Sequence, residues 1–124
     1  LATDGSDSAK PAETLFMQLA GDSERAIVIR VVASTDDEHK QRETRDAEQS
    51  LAELAARMDG LETTVVEGDP SAEIGEASQR EAVDLIMVGK RGRSSLQDLL
   101  LGSTAEAVCR RSHRSVLLVP GEHT

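Results

Sequence analysis

The sequence predicts an α/β fold, a parallel β-sheet with helices on both faces, and three observations carry that reading. Short aliphatic or β-branched runs alternate with longer polar segments along the whole chain. The runs are nearly continuous in apolar residues, as strands covered on both faces are. The polar segments carry apolar residues at helical spacing, one stripe each. Alternation of this kind gives a parallel sheet flanked by helix layers. At 124 residues the chain is read as a single domain, residues 1–124, long enough for one sizeable core.

The elements follow in order. Leu1–Thr3 reads as the end of a first strand, followed by the turn Asp4-Gly5-Ser6. Residues 8–20 place Ala9, Ala12, Leu15, Phe16 and Leu19 on a helical stripe, with Pro11 in the first turn and Gly21 as the stop. Ala26–Val32 is a buried second strand. Residues 36–59 form a polar helix with a narrow stripe of Ala47, Leu51, Leu54, Ala55 and Met58, ended by Gly60. Glu62–Glu67 is the third strand. Asp69 then caps a third helix with Pro70 at its first position, continued by Ile74, Ala77 and Ala82. Asp84–Val88 is the fourth strand. Ser103–Arg111 is the last helix, with Ala105, Val108 and Cys109 on one face and Ser103 and Glu106 at capping-box spacing. Ser115–Val119 is the fifth strand, closed by Pro120-Gly121.

Right-handed crossovers and five strands suggest an open parallel sheet of order 3-2-1-4-5. Ligands of such sheets bind beyond the carboxyl ends of the strands where the order reverses, here between the first strand, ending at Asp4, and the fourth, ending at Gly89. The stretch at that point is GKRGRSSLQDLLLGST, Gly89–Thr104. The chain carries a formal charge of −9, yet Gly89–Arg114 is +4 and the remainder −13. Screening over about 8 Å at physiological salt gives the local charge more weight than distant acids. Gly89 and Gly92 permit a sharp turn and close approach of a ligand. Gly102 leads into a helix whose first N–H groups and dipole favour an anion, and Ser103 and Thr104 add hydroxyl donors. A phosphate chain suits these parts, although a glycine-rich connection before a helix is the commoner use of such a sequence. Neither Gly-x-x-x-x-Gly-Lys-Ser/Thr nor Gly-x-Gly-x-x-Gly occurs.

Composition excludes other classes. Phe16 is the only aromatic residue, so there is no platform for stacking bases, and an isoelectric point near 4.7 argues against nonspecific nucleic-acid binding. No apolar run approaches 18 residues and no signal peptide is visible, so no membrane partner and a cytoplasmic location are expected. Cys109 is the only cysteine and reads as a small core residue. His39, His113 and His123 have no ligand-like spacing, so no protein-built metal site is expected.

The spacing Gly89-x2-Gly92-x9-Gly102-Ser103 resembles the signature of the nucleotide-binding branch of the universal stress proteins. Thr3-Asp4-Gly5-Ser6, Gly68-Asp69-Pro70, Asp84–Gly89, Leu100–Val108 and Ser115–Pro120 extend the resemblance over nearly the whole chain. It implies a Rossmann-like fold of the adenine nucleotide alpha-hydrolase kind and an ATP-binding regulatory or stress-response role. It also implies a site. Asp4 contacts ribose or base, with Ala2 and Thr3 lining the pocket and Val31 packing on adenine. Val88 belongs to the same site, and the phosphates run along Gly89, Arg91, Gly92, Arg93 and Ser94 to Gly102, Ser103 and Thr104. ATP, or ADP or AMP, with Mg²⁺ or Mn²⁺, is the implied cofactor, and a homodimer through 115–119 the implied assembly. Lys90 departs from the family's usual small residue.

Other readings stand beside these. Asp4 could cap the turn before the first helix. Ser103 could be an N-cap. Arg110, Arg111 and Arg114 suit a helix C-terminus better than a ligand. The function alternatives are a slow ATPase or phosphotransferase of the same fold, and an interaction module without nucleotide. No catalytic residue is assigned, since no general base sits within the motif.

Overall fold

The structure, a computed structural model, describes residues 1–90 and 101–121. Strand β1 (Ile27–Val32) pairs in parallel with β2 (Glu62–Glu67), in register from Ile27 opposite Glu62 to Val32 opposite Glu67. Strand β3 (Leu85–Gly89) pairs in parallel with β4 (Ser115–Val119), from Leu85 opposite Ser115 to Gly89 opposite Val119. Between the two ladders runs the segment 1–3. Ala2 bridges in parallel to both Ile29 and Val88, with its N–H donating to Met87 O at 2.9 Å, while Thr3 N–H donates to Ile29 O at 3.2 Å. The expected first strand is thus a pair of isolated bridges at Ala2 rather than a full strand among the described residues.

Helix α1 (Lys10–Leu19) follows a 3-10 turn, Asp7–Ala9, and α2 is Asp37–Ala55. Helix α3 is Pro70–Arg80 and α4 is Ser103–Arg111. Strand residues alternate between two layers, as the period of two requires. Val28, Met87 and Val119 face Ala12, Phe16, Leu51 and Leu54 of α1 and α2. Ile29, Ile86 and Val88 face Ile74, Ala105 and Val108 of α3 and α4. Helices therefore cover both faces of the sheet, as the unbroken apolar runs predicted.

Caps explain where two of the helices begin. Asp36 accepts from His39 N–H at 3.2 Å, and Asp69 accepts from Ala72 N–H at 3.1 Å with Pro70 in the first turn. Several expectations are corrected. Helix α1 ends at Leu19, before Gly21, and continues as a 3-10 turn, Ala20–Asp22; Leu19 is half exposed because Ala20 takes the inward position. Helix α3 ends at Arg80, and Ala82 sits beyond it in the left-handed region at φ 51°. The N-cap of α4 is Gly102, whose extended dihedrals precede the first helical residue, Ser103. Ser103 and Glu106 are then one position too far into the helix for a capping box. Cys109 is exposed: Ala105 and Val108 define the inward face, and Cys109 lies about 100° further round.

Candidate functional site

A cavity of about 360 Å³ opens beyond the carboxyl ends of the strands. The segment beside the centre of the sheet brings Ala2, Thr3 and Asp4 to it. Strand β1 brings Val31, and β3 ends there with Val88 and Gly89. Gly102, Ser103 and Thr104 come from the start of α4. These are all nine of the sequence-predicted site residues within the described part, and they share one wall system. Arg91, Gly92, Arg93 and Ser94 lie outside the described residues.

The parallel topology produces this convergence. Every strand runs towards the same end, so each strand-to-helix connection empties onto one rim. Two backbone bonds close the α4 side: Lys90 N–H donates to Val119 O and Gly102 N–H donates to Lys90 O, each at 2.8 Å. The ends of the glycine-rich stretch are thereby pinned together beside β3. Gly102 supplies no capping side chain, unlike Asp36 and Asp69 at α2 and α3. The opening turn of α4 therefore faces the cavity with no N-cap side chain accepting its backbone donors. Such a turn attracts an anion, by about 0.3–1 kcal/mol for the dipole alone.

The opposite wall is apolar. Ile74 of α3, Ala105 of α4, Val31, Val88 and Ala2 belong to the α3–α4 side of the core and line the cavity as well. A flat apolar ring system fits such a wall, with polar atoms at its rim. Sequence reasoning missed Ala9, Ala33, Pro70, Ile74 and Ala105, whose small or apolar side chains carry no chemical signature. It also missed Glu43 of α2 and Arg30 of β1, which border the same cavity. Arg30 was signalled by being the lone charge in Ile27–Val32, a run otherwise fully apolar.

Asp4 heads a turn held by its own side chain, with Ser6 N–H donating to Asp4 Oδ1 at 2.9 Å. Asp4 therefore braces the turn and also lines the cavity. The hydroxyl of Thr3 is committed to the α1 side, donating to Glu13 Oε2 at 2.6 Å. At the rim of α3, hydrogen bonds from Ala72 N–H and the Ser71 hydroxyl, with Arg111 nearby, hold the Asp69 carboxyl below the usual carboxylate range. Arg111 is occupied there, donating to Ser71 Oγ at 3.1 Å and lying 4.0 Å from Asp69 Oδ2.

A family model described as the universal stress protein family matches residues 1–120. The chain is 29% identical over 92 residues to universal stress protein MJ0577 of Methanocaldococcus jannaschii, a match covering 71% of this chain and 57% of that relative. A Thermus aquaticus universal stress protein is 32% identical, covering 96% of this chain and 95% of the relative. Among solved structures, the one titled as a structure-based assignment of biochemical function for MJ0577 superposes with a TM-score of 0.83 at 26% identity, covering 99% of this chain and 94% of that one. A universal stress protein solved in complex with cAMP gives 0.71 at 25% identity, covering 97% and 93%.

Proposed function

The chain belongs to the universal stress protein family, and from that premise we propose that it is a nucleotide-dependent stress-response domain that binds ATP, or ADP or AMP, in the cavity at the strand ends. One observation carries the proposal: all nine described residues expected to hold a nucleotide line a single cavity that is apolar on one side and open to an uncapped helix start on the other. The family relative in complex with cAMP, itself an adenine nucleotide, supports the same ligand class. In this reading adenine and ribose lie between Val31, Ala2 and Asp4, and the phosphates lie against Gly102, Ser103 and Thr104 and along Arg91, Gly92, Arg93 and Ser94.

Magnitudes set the division of labour. Micromolar affinity needs roughly 8 kcal/mol, and a helix terminus contributes about a tenth of that. The base and ribose must therefore supply much of the affinity through the apolar wall. A divalent cation, Mg²⁺ or Mn²⁺, would accompany the phosphates and neutralise part of their charge. Among the described residues no three His, Cys, Asp or Glu side chains cluster into a cation site.

The wider reading follows from the same family membership. Segment 1–3 is the central strand of a 3-2-1-4-5 sheet, an assignment supported by its hydrogen bonds to β1 on one side and β3 on the other. Strand β4 joins two copies into a homodimer; its Val116, Leu117 and Leu118 are half-buried, and β3 is its strand neighbour among the described residues. No described helix is long and apolar enough to cross a membrane, and a cytoplasmic regulatory role without nucleic acid is the reading we adopt. We assign no catalytic residue.

The test is a calorimetric titration of ATP with Mg²⁺ into nucleotide-stripped protein, after mass spectrometry of small molecules released from the purified form. Micromolar binding is expected. Gly102→Val, which puts a branched side chain at the helix mouth, is expected to weaken it by at least about tenfold. Wild-type protein that ignores ATP at high micromolar concentration overturns the proposal.

A further inference from the structure

A buried carboxylate lies just behind the cavity wall, bonded to the wall residue Thr3. Glu13 of α1 is 8% exposed and Thr3 is 7% exposed. Acidic side chains are almost never buried so far without a dedicated partner. Here the partner is Thr3, whose hydroxyl donates to Glu13 Oε2 at 2.6 Å. Thr3 Oγ1 in turn accepts from the backbone N–H of Gly5 at 3.2 Å. The other carboxylate oxygen faces Lys10, with Nζ 3.4 Å from Oε1.

The direction of these bonds matters. The Thr3 hydroxyl donates to Glu13 Oε2, so its proton is committed there. The lone pairs of Thr3 are then presented to Gly5 N–H. Gly5 follows Asp4 directly, in the left-handed region at φ 75°, and Ser6 N–H closes the turn onto Asp4 Oδ1. One chain of hydrogen bonds therefore runs from the first turn of α1 to the turn that carries Asp4.

We propose that Glu13 is a positioning residue for the nucleotide site: through the Thr3 hydroxyl it locks the Asp4–Ser6 turn in the conformation that presents Asp4 to the ribose or base. The proposal rests on the nucleotide reading given above. Glu13 is not itself among the residues that line the cavity; it stands behind the wall residue Thr3.

The test compares Glu13→Leu, Glu13→Gln and Thr3→Val, the last of nearly the same shape as threonine and usable where a buried leucine unfolds the chain. ATP affinity is measured calorimetrically, and amide hydrogen exchange at Gly5 is measured in nucleotide-free protein. Glu13→Leu and Thr3→Val are expected to weaken ATP by about tenfold and to accelerate Gly5 exchange. Glu13→Gln, which keeps an acceptor oxygen, is expected to stay within about threefold of wild type. In an Asp4→Ala background Glu13→Leu is expected to cause no further loss, because both changes remove the same contact. A loss of equal size in both backgrounds overturns the inference, as does unchanged Gly5 exchange in Glu13→Leu. Wild-type protein that fails to bind ATP overturns the nucleotide reading instead, and the exchange measurement still decides whether Glu13 holds the turn.

Discussion

Replacing Gly5 by alanine tests the turn at the mouth of the site most directly. Gly5 adopts φ 75°, and a Cβ built there would lie 2.6 Å from Arg30 Nη1 and 3.1 Å from Arg30 Cζ. Two penalties combine. An L side chain in the left-handed region costs about 1–2 kcal/mol. The guanidinium must also move, and although it ends a long side chain, Arg30 is only 7% exposed and has little room to swing aside. For 124 residues each kcal/mol corresponds to about 4 °C in melting temperature. The backbone penalty alone therefore predicts a fall of about 4–8 °C for Gly5→Ala, read by circular dichroism. A lower urea midpoint with unchanged slope should accompany it. Gly5→Asn separates the two penalties, because asparagine tolerates the left-handed region but still presents a Cβ to Arg30. It should fall less than Gly5→Ala and remain below wild type. A Gly5→Ala protein melting within about 1 °C of wild type would refute the reasoning, since neither penalty would then operate.

Two further outcomes concern the surface. Arg25 joins the ends of three elements, bonding Glu62 at 2.7 and 2.9 Å and Glu81 at 2.8 Å. Hydrogen bonds from Arg25 lower the pKa of both carboxyls in the folded state. A depressed folded pKa contributes stability that is present above the ordinary value of 4.5 and is lost as pH falls below it. Arg25→Ala should therefore lower the urea midpoint at pH 7 and flatten its decline below pH 4.5; parallel pH curves for the two proteins would contradict this. Cys109 is exposed, so a chromogenic disulfide reagent should label about one thiol per native chain within minutes. Labelling that waits for denaturant would return Cys109 to the core.

The parts of the fold legible in the sequence are those governed by periodicity. The runs 26–32 and 84–88 announced covered strands, and their residues do alternate between two buried layers. Asp69-Pro70 announced a helix start because both residues act locally, through a cap and a fixed φ. The inward face of α1 was less legible. Its buried positions are Ala12, Glu13 and Phe16, with Leu19 half exposed, and hydrophobicity assigns the two charged and apolar residues the wrong way round. Glu13 goes inside because Thr3 meets it there, a contact ten positions away in sequence. Arg30 stands out in the sequence as the lone charge in Ile27–Val32, but its surroundings do not: Gly5 leaves room beside it, a fact of tertiary structure. At the cavity, glycine spacing pointed to Gly89 and to Gly102–Thr104, because backbone approach and helix starts depend on residue type at fixed offsets, whereas Ala2, Thr3, Asp4 and Val31 were expected there only from the family resemblance. The residues that only shape the wall, Ile74 and Pro70 among them, differ in no visible way from ordinary core.

Helix α4 has its own use for half of the cations between Gly89 and Arg114. The segment Gly89–Arg114 is +4, but three of its cations, Arg110, Arg111 and Arg114, stand at or beyond the far end of α4. That helix has nine residues, a length of about 13 Å, which exceeds the screening length of about 8 Å. Arg110 is 3.7 Å from Glu106, and Arg111 is engaged with Ser71 and Asp69. These cations favour the C-terminus of α4 and its contact with α3, as their position on the helix dipole requires. Arg110 and Arg114 contribute little at the cavity, and Arg111 is already held by Ser71 and Asp69 on either side of the wall residue Pro70. What remains for an anion is the opening turn of α4 together with Lys90, Arg91 and Arg93, its basic neighbours in sequence. An acidic protein can therefore hold a phosphate chain without a basic surface, provided that the donors are backbone groups fixed by the fold and the apolar wall supplies most of the affinity. This explains why the recognisable signal is a spacing of glycines rather than a cluster of charge. Glycine spacing dictates where the backbone can approach a ligand, whereas three of the segment's six cations stand at or beyond the C-terminal end of α4.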